Sequence, residues 1–133
     1  MASELEMELE RTTAMRGFRY GMHEFVVGVG GVEALKKHNE RVFESYLKES
    51  LLDRKTKELL FIVAYAAEKG EIPQIQMHMH AAHKAGATKD EIMEAIQLVG
   101  GVIGGVAGGK AMEAWRILFR PDIPTILRVA ELR

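Results

Sequence analysis

The chain contains no cysteine. Disulfide bonds, thiolate metal ligands and thiol redox chemistry within the chain are therefore excluded by composition. An excess of charge of one sign is also missing, since 18 Lys and Arg stand against 19 Asp and Glu and leave a net charge of −1. Such a balance produces no overall field that would attract nucleic acid or an anionic membrane. We expect neither as a partner, and instead expect small molecules or further copies of the chain.

Long apolar runs are missing as well. The longest unbroken one, residues 59–67, is far shorter than the ~20 residues that a membrane-spanning helix needs. The N-terminus, MASELEMELER, is acidic, whereas secretory and transit segments are basic. These features predict a cytoplasmic protein.

Proline is scarce, with 3 in the chain, and the apolar residues recur every three to four positions. This spacing predicts an all-α fold without strands. A chain of 133 residues, 47% hydrophobic, has the size and composition of a single domain over residues 1–133. The first four predicted helices run from about Ser3 to Val27, from about Val32 to Lys48, from a cap at Asp53 to Gly70, and from Pro73 to Gly86. A fifth begins with a capping box at Thr88, and the last helical segment ends at Pro121. The glycines of residues 28–31 are predicted to form a loop, and a short tail follows the last helix.

The run GGVIGGVAGGK, residues 100–110, resembles a phosphate-binding loop at first sight. Such a loop follows a strand and needs Ser or Thr after its lysine, but Ala111 follows Lys110 and the pattern is helical. A glycine costs a helix roughly 1 kcal/mol relative to alanine, so this run favours a close helix contact, for which a contact between subunits is one interpretation. On a helix its glycines form two adjacent rows, one of Gly100, Gly104 and Gly108 and the other of Gly101, Gly105 and Gly109.

Three histidines crowd one predicted helix, but they do not share a face. At 100° per residue His78 lies within the apolar arc, whereas His80 and His83 lie on the polar edge. A metal held by His80 and His83 would need help from another helix, and two solvated side chains are the simpler interpretation. His78 needs a partner on its apolar face, either a backbone group or a carboxylate from a neighbouring helix.

Glu58 is the candidate carboxylate. On its helix it shares a face with Phe61, Ile62 and Tyr65, and a carboxyl group in apolar surroundings can act as an acid or base near neutral pH. The alternative is a solvated glutamate in the first turn of a helix, where its negative charge interacts favourably with the helix dipole.

Two blocks stand out between Leu51 and about Ala111, namely LLDRKTKELLFIVAYAA and HMHAAHKAGATKDEIMEAI, of which the second is the more specific. Through these blocks the stretch resembles the carboxymuconolactone decarboxylase and alkyl hydroperoxidase D (AhpD-like) family. The resemblance implies an all-α, AhpD-like bundle of about six to seven helices. It also implies a homotrimer or homohexamer with sites close to subunit contacts.

The hydroperoxidase branch of that family carries C-x2-C-x3-H with an upstream glutamate. Aligning His78 with the motif histidine places Glu71 and Gln74 at the two cysteine positions and Glu58 at the glutamate. The thiols are missing, so a cysteine peroxidase mechanism is chemically impossible here. The decarboxylase branch has no cysteine in this stretch; QIQMHMHAAHKAG resembles it at the histidine and the glycine but lacks its Glu-Leu pair.

These observations lead to one leading hypothesis and one alternative. The leading hypothesis is cofactor-free acid–base chemistry, a decarboxylation or isomerisation of a small organic acid or lactone, with His78 transferring the proton and Glu58 orienting it. Lys110, or an arginine from another subunit, is the candidate for binding a substrate carboxylate. The alternative is a catalytically silent, oligomeric or ligand-binding member of the family. A metal enzyme built on His80 and His83, or a redox role with a thiol supplied in trans, are further possibilities.

Overall fold

A computed structural model describes residues 1–133 and contains no β-strand. The all-α prediction is therefore confirmed. The chain divides into two compact units, residues 1–54 and 55–133, and the single-domain assignment stays a prediction. The helices are α1 (Glu4–Arg16), α2 (Gly21–Val42), α3 (Arg54–Ala67), α4 (Ile72–Lys84), α5 (Lys89–Ile103) and α6 (Gly109–Phe119), with a π-helical turn, Phe43–Leu47, directly after α2.

The first unit is built on α1 and α2, which pack against each other. A capping box of Ser3 and Glu6 begins α1, because their side chains satisfy backbone N–H groups that the first turn leaves without partners. The helix carries an unusual buried stripe: Glu8, Thr12 and Arg16, one turn apart, are its buried residues, and all three are polar.

The helical segment predicted from about Ser3 to Val27 is divided at a glycine that the sequence reasoning did not single out. The first helix ends at Gly17, whose φ of 85° lies in the left-handed region that favours glycine and terminates helices. The run at residues 28–31 is instead part of α2, where only Gly31, with φ 71° and ψ −170°, departs from helical geometry and introduces a kink. The interruption predicted within residues 28–31 is therefore present at Gly31, whereas the end of α1 at Gly17 was not predicted.

The second unit packs α4 against both α5 and α6. Its core contains the fully buried side chains of Ile62, Ile75, Met79, Ile92 and Ile96. These residues come from α3, α4 and α5 at helical spacing, as the apolar periodicity predicts. The helix that carries the three histidines therefore lies at the centre of this unit.

The two predicted glycine rows do not lie on one helix. The fifth helix ends at Ile103, and Gly104 has a φ of 113°, a conformation that side chains with a Cβ rarely adopt. The chain turns through residues 104–108 before α6 begins at Gly109. The prediction of one continuous glycine-faced surface is therefore wrong, although the glycines within α5 stay helical.

Two side chains of α6 form hydrogen bonds with the segment that follows this helix. The Arg116 guanidinium donates to the carbonyl oxygen of Ile123 at 2.8 Å, and the backbone N–H of Ile126 donates to Glu113 Oε2 at 3.3 Å. Glu113 and Arg116 are also paired with each other at 2.6 Å. Glu113 is buried. These contacts hold the segment after α6 against that helix.

This attachment predicts acid-sensitive stability. Hydrogen bonds from Arg116, Thr125 and the backbone of Ile126 hold the pKa of Glu113 at about 2, below its ordinary value of 4.5. Stability from Glu113 is thus fully present above pH 4.5 and is lost as the pH falls toward about 2. Urea denaturation at pH 7 and pH 3 should show that Glu113→Gln loses less stability on acidification than the wild type. Glu71→Gln, at an exposed site, should follow the wild type; equal losses for both variants would contradict the assignment.

Candidate active site

Glu58 and His78 come together in the second unit. Glu58 lies on α3 and His78 on α4, and their side chains are 0% and 4% exposed. The distance between Glu58 Oε2 and His78 Nδ1 is 2.7 Å. Of the two partners expected for His78, the carboxylate is the one found in contact with it. Glu58 is buried, so the alternative of a solvated glutamate is wrong.

Helical spacing explains why both side chains point inward. Glu58 precedes the buried Ile62 and Ala66 by one and two turns, so it lies on the stripe by which α3 faces the core. His78 lies among the buried Ile75, Met79, Ala81 and Ala82 on α4. Each helix thus brings one ionisable group into a largely apolar interior.

Two aromatic rings of α3 stack on the imidazole of His78. The ring centroids of Phe61 and Tyr65 lie 4.9 Å and 5.2 Å from that of His78, with interplanar angles of 24° and 23°. Phe61 and Tyr65 are one turn apart, so one face of α3 provides both the carboxylate and the stacked rings. The stacking holds the plane of the imidazole, while the hydrogen bond determines its rotation in that plane.

The contact couples the tautomer of His78 to the charge of Glu58. When the Glu58 carboxylate is ionised it only accepts hydrogen bonds, so His78 Nδ1 donates and the lone pair of the neutral ring lies at Nε2. An imidazole oriented in this way can take up a proton at Nε2 while the carboxylate stabilises the cation that forms. The geometry therefore suits general acid–base chemistry.

The other two histidines of α4 lie elsewhere. His80 and His83 are exposed, and His83 Nδ1 lies 2.9 Å from the carbonyl oxygen of Ala87. No group of three or more His, Asp or Glu side chains is arranged to hold a metal ion. The hypothesis of a metal site on His80 and His83 thus has no third ligand in this structure.

Lys110 lies at the surface. Its Nζ is 3.0 Å from Glu71 Oε1, and the two side chains are 45% and 78% exposed. This surface pair gives no support to a role for Lys110 in binding a substrate carboxylate.

A second cluster of buried ionisable side chains was missed by the sequence reasoning. It lies in the first unit and contains Arg16, His23 and His38. The available signal was the polar stripe of α1, where Glu8, Thr12 and Arg16 recur one turn apart. A polar stripe is more commonly solvated, so the pattern alone does not indicate burial.

None of the helices has the length and hydropathy of a membrane-spanning segment.

The chain is thus all-α, has a buried carboxylate–imidazole pair on two neighbouring helices, and contains no thiol. The profile of the carboxymuconolactone decarboxylase family matches residues 32–118, well over half of the chain. The chain therefore belongs to the carboxymuconolactone decarboxylase family. No curated protein and no solved structure matches it. The resemblance seen in the sequence is confirmed, and the matched range includes both Glu58 and His78.

Proposed function

We propose that this protein catalyses cofactor-free acid–base chemistry on a small organic acid or lactone, either a decarboxylation or an isomerisation. The observation that carries the proposal is the 2.7 Å contact between Glu58 and His78 in a buried environment. His78 is the proposed proton carrier, and Glu58 is the residue that orients it.

The chemistry of both reactions suits an imidazole. An isomerisation removes a proton from carbon beside a carbonyl group and returns one at a different carbon. A decarboxylation leaves a carbanion, stabilised by a conjugated carbonyl, that must receive a proton once CO₂ has left. In an isomerisation Nε2 takes the proton from one carbon and the resulting imidazolium returns it to the other. In a decarboxylation Nε2 first takes up a proton from solvent, and the imidazolium then donates it to the carbanion. Neither step requires the thiol that this chain lacks.

The second candidate is a catalytically silent member that binds a ligand or only assembles. The same burial favours it, because Glu58 and His78 are 0% and 4% exposed and a buried, hydrogen-bonded pair also satisfies the requirements of a core. The two candidates differ in whether bound ligand exchanges protons with the protein.

A two-stage experiment separates the candidates. A panel of small carboxylic acids and lactones is first screened by thermal shift, since a ligand at 100 times its Kd adds ~2.7 kcal/mol to stability. The ligands found are then incubated with the protein in D₂O and followed by proton NMR. Deuterium incorporation at carbon or loss of CO₂, absent with His78→Gln, supports the enzyme. Ligands that bind and stay chemically unchanged support the silent member.

We propose in addition that the protein is a homotrimer or homohexamer that assembles through the C-terminal half of α5 and the turn after it. This surface presents apolar side chains to solvent in the single chain. Leu98, Val102, Ile103 and Val106 are 64%, 86%, 57% and 84% exposed. Contiguous exposed apolar patches typically mark contact surfaces. The cytoplasmic location expected from the N-terminal composition stays a prediction.

Gly101 offers a clean test of this assembly. It is helical, and a Cβ added there would meet no atom within 4 Å, so Gly101→Leu should be tolerated by the isolated chain. If another copy packs against this surface, the leucine should force the two backbones apart and lower the oligomeric mass. Light scattering after size exclusion measures that mass. Gly104 is unsuitable because its φ of 113° would strain any replacement.

Gly28→Leu is the matched control. Gly28 is also helical, and a Cβ there likewise meets nothing within 4 Å. The control should retain the wild-type mass. A monomeric wild type, or a Gly101→Leu variant with unchanged mass, would contradict assembly through α5.

A further inference from the structure

The first unit contains a buried cation without an anion. Arg16 is 7% exposed, and no carboxylate lies within ion-pair distance of its guanidinium. Its polar neighbours are Tyr46, whose hydroxyl accepts from Nη2 at 2.8 Å, and His23, whose Nε2 is 3.3 Å from Nη1. A guanidinium cannot lose its charge by deprotonation, so its burial without a counter-charge is unfavourable.

Unsatisfied polar atoms lie in the same cluster. Arg16 Nε and His38 Nε2 are both buried and have no hydrogen-bond partner, and the same unit contains one buried acceptor without a partner, Asn39 Oδ1. The rings of His23 and His38 are adjacent, with centroids 5.6 Å apart. Buried polar groups are nearly always hydrogen-bonded, and the amide oxygen of Asn39 carries no charge, so the unsatisfied Nε of a buried guanidinium without an ion pair indicates a missing anion.

The charges that act on this cluster are all positive. Burial, Arg16, His38 and Arg19 lower the pKa of His23 to about 4, from an ordinary value of 6.5. Burial, Arg16 and Arg41 lower the pKa of His38 as well. No carboxylate opposes these effects at either imidazole, so the cluster has a positive potential that an anion would neutralise.

The buried acid of the first unit is already bound by other groups. Glu8 Oε1 accepts from Asn39 Nδ2 at 2.9 Å and from Arg11 at 3.0 Å. It is therefore engaged away from the Arg16 guanidinium, and the first unit contains no other buried carboxylate that could neutralise this charge.

We propose that Arg16, His23 and His38 form a binding site for the carboxylate group of a small organic acid. A planar carboxylate fits the Nε edge of the guanidinium, which can donate two parallel hydrogen bonds. The Phe18 ring lies 4.7 Å from the Arg16 guanidinium carbon and the Tyr20 ring 4.9 Å from that of His23. These rings suit the carbon skeleton of an organic acid, and a monoanion is easier to desolvate than a phosphate dianion.

This site goes beyond the proposed function. It belongs to the first unit, uses different side chains, and involves binding without proton transfer to carbon. The Glu58–His78 pair takes no part in it.

The test is a titration with benzoate, followed by NMR of the histidine side chains. Chloride and phosphate at matched ionic strength are the comparison salts. Benzoate should shift the His23 and His38 resonances saturably and raise the pKa of His23, because a bound anion favours the imidazolium. Chloride should leave both unchanged. The absence of a saturable response to benzoate, or an equal response to phosphate, would overturn a carboxylate site.

Variants connect the response to the cluster. Arg16→Gln and His38→Gln should each weaken benzoate binding by at least about tenfold, since each removes a proposed donor to the anion. His38 is only half-buried, so its variant keeps the test valid if Arg16→Gln does not fold. His83→Gln, at an exposed position, is the control and should bind like the wild type.

A third variant separates this site from the proposed active site. His78→Gln should retain the benzoate response of His23 and His38 even if all turnover is lost. Loss of that response in His78→Gln, or its survival unchanged in His38→Gln, would overturn the proposal while leaving the acid–base function to be judged by the D₂O experiment.

Discussion

Replacing His78 by Gln should lower the turnover of the protein by roughly 10² to 10⁴-fold, the range that general acid–base catalysis contributes. The amide keeps a polar group near Glu58 Oε2, which lies 2.7 Å from the imidazole in the wild type, but it does not exchange a proton near neutral pH. Glu58→Gln should reduce the rate and also move the pH optimum, because the neutral amide no longer stabilises an imidazolium. The measurement is a rate against pH for each variant, with circular dichroism to verify the fold.

The exposed histidines of the same helix provide the controls. His80→Gln and His83→Gln should change the rate little, because both side chains are exposed at the surface of α4. If His78 is only a core histidine, His78→Gln will instead lower the melting temperature, through a lost buried hydrogen bond, and turnover or ligand binding will persist. A destabilised His78→Gln variant with normal turnover would thus remove the proposed proton carrier.

The second large effect is on stability. Glu58→Ala should lower the free energy of unfolding by about 3–5 kcal/mol, because it leaves the buried imidazole without its carboxylate partner and opens space in the core. Glu58→Gln should cost less, since the amide oxygen still accepts from His78 Nδ1. Urea denaturation at pH 7 measures both.

A double variant shows whether the cost comes from the unpaired partner. Replacing both groups by apolar residues, as in Glu58→Leu with His78→Met, should recover much of the stability that Glu58→Ala loses, because neither buried polar group is then left unsatisfied. Glu71→Ala breaks the exposed pair with Lys110 and should cost less than about 1 kcal/mol. A Glu58→Ala variant as mild as Glu71→Ala would contradict a tightly coupled buried pair.

Composition and local periodicity predicted the fold class and the faces of the helices. The absence of cysteine by itself excludes the thiol chemistry of the hydroperoxidase branch. Helical spacing placed His78 inward and His80 outward, and it placed Glu58 on the side of Phe61 and Tyr65. These predictions depend only on the 3.6-residue repeat within one helix, which is why they could be made from the sequence.

The helix boundaries were predicted less well where glycine was the signal. Glycine accepts both helical and left-handed backbone, and the sequence does not say which one a given glycine adopts. Gly17 and Gly104 take positive φ values and end helices, whereas the glycines at 28 and 101 stay helical. Packing and hydrogen bonding around each position make that choice.

Only the tertiary structure decided which inward-facing groups meet. The sequence offered a backbone group or a carboxylate as a partner for His78; the packing of α3 and α4 brought Glu58 to 2.7 Å. The sequence likewise gave no signal that Arg16 approaches His23 or that His23 approaches His38. The physical reason is that periodicity determines the direction of a side chain around its own helix, whereas contacts between helices depend on their relative placement, which is determined by the packing of the whole core.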